Sequence, residues 1–520
     1  MSAQNLIDCL MQQAEQSPQT ALFTAGPRTI SFAEMNRKTN QLANALKSLG
    51  VGPQDRLALL SKSQIDSALL IFACMKIGAV GMPINWRFSV DEVRFVLEDS
   101  AANVLIIDTE LLDRVDTRST SAGLRIFTTD GTSPNQQRLD SWLVTFSDQL
   151  PATTLQAHGA AIHIYSSGTT GQPKGVVLTH EGLLSACQVT TEAWGLEPQS
   201  VLGHVVPIFH IAGLLVLLFP VYVGCRCVAF RDFKPASFLA ALSEQAITHV
   251  LLVPAMINFL LAEPANSALD FSQLKLIAYG GSPITEPVLQ AAMQRFDCSF
   301  SQIYGLTEVA GVVTNLTPED HRQGAGLLRS GGRPLPRTEL RIVDPVTLAE
   351  LEDGQVGEVW IRSDRNFQEY WQKPGATQEV YPEGRDAQGG WFRSGDAGYL
   401  RNGYLFLSDR IKDMIISGAE NIYPAELENT LMKHPAVADG AIIGVPDPVW
   451  GESVKACVVL RPGATLSEDE LIGFMREQVA HFKCPKSVEF LTSLPRTESG
   501  KLLKRQLRAP YWVGQERAIN

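Results

Sequence analysis

Short apolar runs alternate along this chain with segments whose apolar positions recur every three or four residues. Residues 56–60 read as a strand, 65–78 as a helix and 79–84 as a strand; 91–98 follows as a helix and 103–107 as a strand. The same rhythm returns at 226–230, 235–246, 249–253, 273–279, 287–296 and 299–304. Strand–helix–strand alternation predicts an α/β fold of doubly wound, mostly parallel sheets with helices on their faces. Leu6, Ile7, Leu10 and Met11 mark a short amphipathic helix at the N-terminus. Between 327 and 404 the texture changes: Gly and Pro increase and only short runs remain, at 339–343 and 357–362. That stretch predicts a β-rich, barrel-like subdomain. After Asp409-Arg410-Ile411-Lys412-Asp413, helical and strand patterns resume at 424–433, 437–444, 453–460 and 468–479. The boundary is placed at 410–413. A large domain, 1–409, precedes it, and a small α+β domain, 414–520, follows, its length of about a hundred residues being enough to fold alone.

Composition narrows the class. The chain has 520 residues, enough for two to four structural units. A net charge of −11 argues against a nucleic-acid binder, which would carry a basic face. The eight cysteines form no C-x-x-C and no zinc-like spacing, as expected of reduced, mostly buried thiols. Residues 1–18 lack the basic and apolar regions of a signal peptide, which points to the cytoplasm. The most apolar stretch, 205–230, is interrupted by Pro207, His210, Pro220 and Arg226, so it reads as a buried helix and strand and not as a membrane span. Peripheral membrane contact and a homodimer both stay open.

The chemistry is concentrated in Tyr165-Ser166-Ser167-Gly168-Thr169-Thr170-Gly171-Gln172-Pro173-Lys174-Gly175. Three glycines, four hydroxyls besides the tyrosine's and one lysine fall within these eleven residues, with strand-like runs on both sides. Glycines let backbone amides approach a ligand, hydroxyls and amides donate to phosphate oxygens, and lysine adds a point charge. The spacing differs from a Walker P-loop, which needs Gly-Lys-Ser/Thr, and no G-x-G-x-x-G occurs. A second motif, Gln302-Ile303-Tyr304-Gly305-Leu306-Thr307-Glu308, closes a predicted strand, where open α/β sheets bind their ligands. There an aromatic can stack on a base, a threonine can donate to phosphate and a glutamate can hold a hard cation. Taken singly, Thr307 would pass for a helix cap and the aspartate of Trp391-Phe392-Arg393-Ser394-Gly395-Asp396 for a turn residue.

Taken together and in order, these motifs resemble the adenylate-forming superfamily of acyl-CoA synthetases, adenylation domains and luciferases, over nearly the whole chain. The resemblance implies ATP, Mg²⁺ and coenzyme A. It gives the phosphates to Ser166, Ser167, Gly168, Thr169, Thr170, Gly171 and Lys174, the adenine and acyl site to Gly281, Ser282, Gln302, Tyr304 and Gly305, an α-phosphate contact to Thr307 and Mg²⁺ to Glu308. Asp396 and Arg410 would hold the ribose. Lys412 would be the swivel of a mobile C-terminal domain, and Gly418 would line the pantetheine tunnel, where Ala419 replaces a glycine common in relatives. Lys501, in Leu494-Pro495-Arg496-Thr497-Glu498-Ser499-Gly500-Lys501, would be the catalytic lysine. Trp450 and Phe482 match aromatics that flank the CoA adenine, and Cys484 stands where some relatives carry a basic residue. All these residues would converge on one nucleotide.

The implied reaction has two steps. A carboxylate attacks the α-phosphorus of ATP to give an acyl-adenylate and pyrophosphate, and a thiol then displaces AMP. Three anions must meet, so charge neutralisation and positioning supply the catalysis. The segment 204–214, with 253–257 and 280–282, would shape an acid pocket; its apolar character suits an aliphatic or aryl acid. His210 reads either as a gate over the carboxylate or as a core histidine. The wording of 207–213 and of Glu369-Tyr370-Trp371 is most similar to bacterial medium- or long-chain fatty-acyl-CoA ligases. Competing expectations are an enzyme that loads a carrier protein, an acyl-AMP ligase, a luciferase-type oxygenase and a non-catalytic adenylate sensor. The last should have lost Lys501, Glu308 or Lys174, and all three are present.

Overall fold

The computed structural model describes residues 4–115, 123–130, 137–153, 156, 158–166, 173–282, 284–324, 326–386, 389–417, 420–496 and 502–513. Two compact units emerge: Met1–Glu339 with Ile361–Phe392, and Leu340–Trp360 with Arg393–Asn520.

The first unit is built on two sheets. One has seven strands in the order Gln137–Arg138, Arg125–Thr128, Val104–Ile107, Arg56–Leu60, Val80–Pro83, Ala160–Ser166 and Lys174–Thr179. Its neighbours are parallel except the last two, which run antiparallel. The other has nine strands: Arg333–Pro334, Gly311–Leu316, Ser299–Leu306, Leu276–Gly280, His249–Leu252, Val201–His204, Arg226–Ala229, Ala21–Ala25 and Arg28–Ser31. It is parallel in the middle and antiparallel at both edges. Strands such as Val104–Ile107 and His249–Leu252 are buried along their whole length, the mark of a sheet covered on both faces. Helix Gln64–Ile77 is buried all round. Ser63 caps its first turn by accepting from the Asp66 amide, and Gly78 ends it at φ 70°. Phe238, Leu252, Ile277, Tyr279, Phe296 and Phe300 form the core beneath the middle of the nine-stranded sheet.

The second unit holds a four-stranded sheet of Thr338–Val343, Gly357–Ser363, Trp391–Arg401 and Tyr404–Arg410. Its other sheet is organised on the antiparallel pair Val437–Asp447 and Gly451–Leu460, to which Ile415–Ser417, Glu420–Ile422 and Ser487–Phe490 are added. Helices Pro424–Leu431 and Glu468–Gln478 contribute Leu427, Leu431, Leu471 and Met475 to a core shared with Ile442 and Val458.

The alternation read from the sequence is the architecture observed, with ends displaced by a few residues: the strand expected at 273–279 is Leu276–Gly280 and the helix expected at 65–78 is Gln64–Ile77. The apolar stretch 205–230 contains helix Ile211–Val223 and strand Arg226–Ala229, both mostly buried. Strands Ala21–Ala25, Arg28–Ser31 and Val201–His204 are additions that the pattern did not mark. Seven cysteines are buried and Cys298 is half-buried, all as free thiols. Among the described residues no helix is long and apolar enough to cross a membrane.

Candidate active site

The antiparallel pair Ala160–Ser166 and Lys174–Thr179 places Ser166 directly opposite Lys174. Both flanks of the phosphate-loop motif are therefore fixed by strand pairing. Ser167, Gly168, Thr169, Thr170 and Gly171 lie outside the described residues, as do Gly418 and Lys501.

Glu308 lies in the short turn Thr307–Val309 that follows strand Ser299–Leu306. Its Oε1 accepts a 3.0 Å hydrogen bond from the Tyr370 hydroxyl, and its carbonyl accepts from the Phe367 amide at 2.7 Å. Burial, reinforced by the Glu308 carboxylate, holds the Tyr370 phenol well above the usual tyrosine range, so its hydroxyl stays a donor. The Lys174 ammonium stands 5.1 Å from the centre of the same Tyr370 ring. One aromatic side chain thus joins the lysine of the first motif to the glutamate of the second. The segment carrying it is held in place: the Trp371 amide donates to the Gly175 carbonyl, the Gln368 amide to the Val177 carbonyl, and the Trp371 indole to the Asp99 carbonyl. Tyr370 was read from the sequence only as family wording. The signal for its role, a link over 62 residues to Glu308, is long-range and absent from local pattern.

Gln302 and Tyr304 are two apart on one strand and so share a face; both are half-buried. Gly305 admits no side chain, since a Cβ there would lie 1.9 Å from the Gly311 carbonyl oxygen. Across the parallel pairing, strand Leu276–Gly280 runs into Gly281, at φ 80°, and Ser282. The carboxyl ends of these two strands therefore carry all the motif residues proposed for the base, as expected for this class of sheet. In the acid-pocket segments Val205, Val206, Ile208, Phe209 and Ile257 are buried. His210 is exposed at the cap of helix Ile211–Val223, its ring 4.6 Å from that of Phe209. The core-histidine reading is overturned, because a satisfied core histidine would be enclosed.

In the second unit Asp396 and Arg410 are opposite one another on paired strands, with Arg410 Nε 2.7 Å from Asp396 Oδ1. Asp396 is buried and Arg410 largely exposed. Ser394 donates to the Val359 carbonyl and accepts from the Asp396 amide, and so shapes the turn that presents the carboxylate. Lys412 sits in the turn Ile411–Asp413, its carbonyl accepting from Arg508. Trp450 and Phe482 are both exposed. Asp447 accepts from the Val449 and Trp450 amides, and the Lys486 ammonium lies 5.2 Å from the Trp450 ring centre. The Cys484 thiol is turned inward toward the Val479 and Ala480 carbonyls.

A doubly wound sheet with Glu308 at the end of one strand, joined through Tyr370 to Lys174 at the end of the phosphate-loop motif, fits an ATP-using, adenylate-forming ligase. The chain belongs to the AMP-binding enzyme family: that family's model matches residues 10–371, and the model of the AMP-binding enzyme C-terminal domain matches 426–501. It is 35% identical to a fatty acid–[acyl-carrier-protein] ligase of Streptomyces coeruleorubidus, over 99% of this chain and 98% of that one. It is 34% identical to a long-chain-fatty-acid–CoA ligase of Mycobacterium tuberculosis, over 96% and 97%. Among solved structures, ATP-bound MatB from Rhodopseudomonas palustris superposes with a TM-score of 0.88 at 27% identity, covering 98% of this chain and 99% of that chain.

Proposed function

We propose that the enzyme activates a medium- or long-chain fatty acid as its acyl-adenylate and transfers the acyl group to the thiol of coenzyme A. The observation that carries this reading is the meeting of Lys174 and Glu308 on Tyr370. A cation and a carboxylate held at a phosphate-binding loop are what in-line attack on a polyphosphate requires. Lys174, Ser166 and the 167–171 loop neutralise the β- and γ-phosphates, and Thr307 donates to the α-phosphate. Glu308 suits Mg²⁺, which takes one or two protein carboxylates and fills its remaining positions with phosphate and water oxygens; when bound, that ion neutralises charge on the phosphates. Tyr304 stacks on the adenine and Asp396 accepts from the ribose hydroxyls, its orientation preset by Arg410. Lys501 joins the carboxylate to the α-phosphate during adenylation. Lys412 is the swivel that withdraws Lys501 before the thiol attacks.

The acid class rests on the apolar side chains of the 204–214 and 253–257 segments and on the relatives named for fatty acids. A second acceptor has specific support: the Streptomyces relative is named for acyl-carrier protein. Pyrophosphate release with linear C4 to C18 acids and aryl acids tests the acid. A maximum among the C8 to C16 acids is expected, whereas a preference for aryl acids, such as the 35%-identical feruloyl-CoA synthase of an Amycolatopsis species would suggest, overturns it. Thioester formation with CoA against a phosphopantetheinylated carrier protein then decides the acceptor.

A further inference from the structure

Behind the base site lies a buried polar chain that the reaction does not use. Tyr279 is fully buried and is the strand partner of Gln302. His321, on helix Pro318–Gln323, is also buried. His321 Nδ1 lies 2.8 Å from the Thr317 carbonyl oxygen, and its Nε2 lies 2.9 Å from the Tyr279 hydroxyl. That hydroxyl is 3.3 Å from Gln302 Oε1.

Valence decides the direction of every bond. A carbonyl only accepts, so Nδ1 carries the His321 proton. Burial holds the imidazole below its ordinary pKa and therefore neutral, which leaves Nε2 a lone pair and nothing else. The Tyr279 hydroxyl gives its one proton to that lone pair. Its oxygen can then only accept, so the end of the Gln302 amide that faces it must be the NH₂. The two ends of an amide have nearly the same shape, and the hydrogen-bond network chooses between them. Here it turns the amide oxygen away from Tyr279, on the strand face that Gln302 shares with Tyr304.

We propose that Tyr279 and His321 are positioning residues that lock the Gln302 amide with its oxygen toward the base, so that the site selects a purine donating from its 6-position over a 6-oxo purine. This rests on the reading of Gln302 and Tyr304 as the base site. An amide free to turn would offer its NH₂ to a 6-oxo group equally well. A locked one presents an acceptor to that oxygen and leaves both groups unpaired.

The test is adenylate formation by the full-length enzyme with ATP and with inosine triphosphate, compared as a ratio of kcat/KM. Tyr279→Phe removes the hydroxyl and keeps the ring, so the fold is retained. The ratio should fall by about five- to tenfold, the equivalent of one neutral hydrogen bond. His321→Leu should lower it similarly, and His321→Gln, which still offers Tyr279 an acceptor, should restore part of it. A purely structural role would lower both kcat/KM values together and leave the ratio unchanged, which overturns the proposal. Gln302→Ala separates the two levels of the argument. If it abolishes the preference while Tyr279→Phe keeps it, the lock is wrong and the base site stands; if Gln302→Ala also keeps it, the base reading itself fails.

Discussion

Two buried lysines, one in each unit, are accommodated in opposite ways. Lys76 belongs to the enclosed helix Gln64–Ile77, and among the described residues its ammonium meets only uncharged acceptors: Asn36 Oδ1 at 2.6 Å, Thr39 Oγ1 and Asn40 Oδ1 at 2.7 Å, and the Asn36 carbonyl at 3.2 Å. Burial pushes it down to about 7. Lys504 sits between carboxylates, 3.0 Å from Glu428 Oε1 and 3.5 Å from Asp409 Oδ2. Burial would lower it too, but Glu428 and Asp409 outweigh that and hold it above its ordinary value. The two carboxylates take further bonds from the backbone: Asp409 from the Arg410 and Ala425 amides, Glu428 from that of Ile442. Depth therefore does not decide the state of a buried cation; the charge of what surrounds it does. The positions differ as well. Lys76 ties its helix to helix Phe32–Ser48, far in sequence from any site motif, whereas Lys504, three residues after Lys501 in the chain, is tied to Asp409, immediately before the proposed hinge.

The sharpest way to break the comparison is Lys504→Met. It leaves two buried carboxylates facing one another without a cation, so urea unfolding should show a loss of about 3–5 kcal/mol. Adding Glu428→Gln to the same chain should recover a substantial part, because only one anion then remains. A loss below about 1 kcal/mol would mean that the cluster is hydrated and that its charges are not confined. Lys76→Met is the milder counterpart. It strands neutral oxygens in place of charges and keeps nearly the same volume, so the expected cost is about 1–3 kcal/mol by the same measurement. If Lys76→Met proved the more damaging of the two, the ranking of ionic over neutral surroundings would be wrong.

Neither lysine drew notice in the sequence, and the reason is general. Strands such as Arg56–Leu60 and His249–Leu252 are legible because a short apolar run bounded by polar residues carries its own signal. The phosphate-loop motif and the Tyr304–Glu308 motif are legible because their chemistry is contiguous in the chain. The links between distant segments are not. Tyr370 reaches Glu308 across 62 residues, Tyr279 reaches His321 across 42, and Lys76 meets Asn40 across 36. A lysine is almost never fully buried without a partner, and only tertiary packing reveals the cradle of Asn36, Thr39 and Asn40 around this one. His210 shows the reverse: its apolar neighbours left a core reading open beside that of a gate, yet at the cap of helix Ile211–Val223 it is exposed.

The finest separation of the two lysines uses pH. For Lys76 the folded value, about 7, lies below the ordinary 10.5. Above pH 7 the unfolded chain therefore binds more protons than the folded one, and stability must rise with pH up to about 10. Below pH 7 both states hold the proton and the slope vanishes. For Lys504 the folded value is raised above 10.5, so its contribution is fully present below that pH and is lost only above it. Between pH 7.5 and 8.5 Lys76 should thus add about 1 kcal/mol of stability, and Lys504 nothing. Subtracting the Lys76→Met unfolding curve from that of the unaltered enzyme at each pH cancels the groups common to both and isolates this slope. A flat difference across that window would show that the four neutral acceptors keep the ammonium charged despite its burial, and that uncharged oxygens can replace water around a cation as fully as carboxylates do.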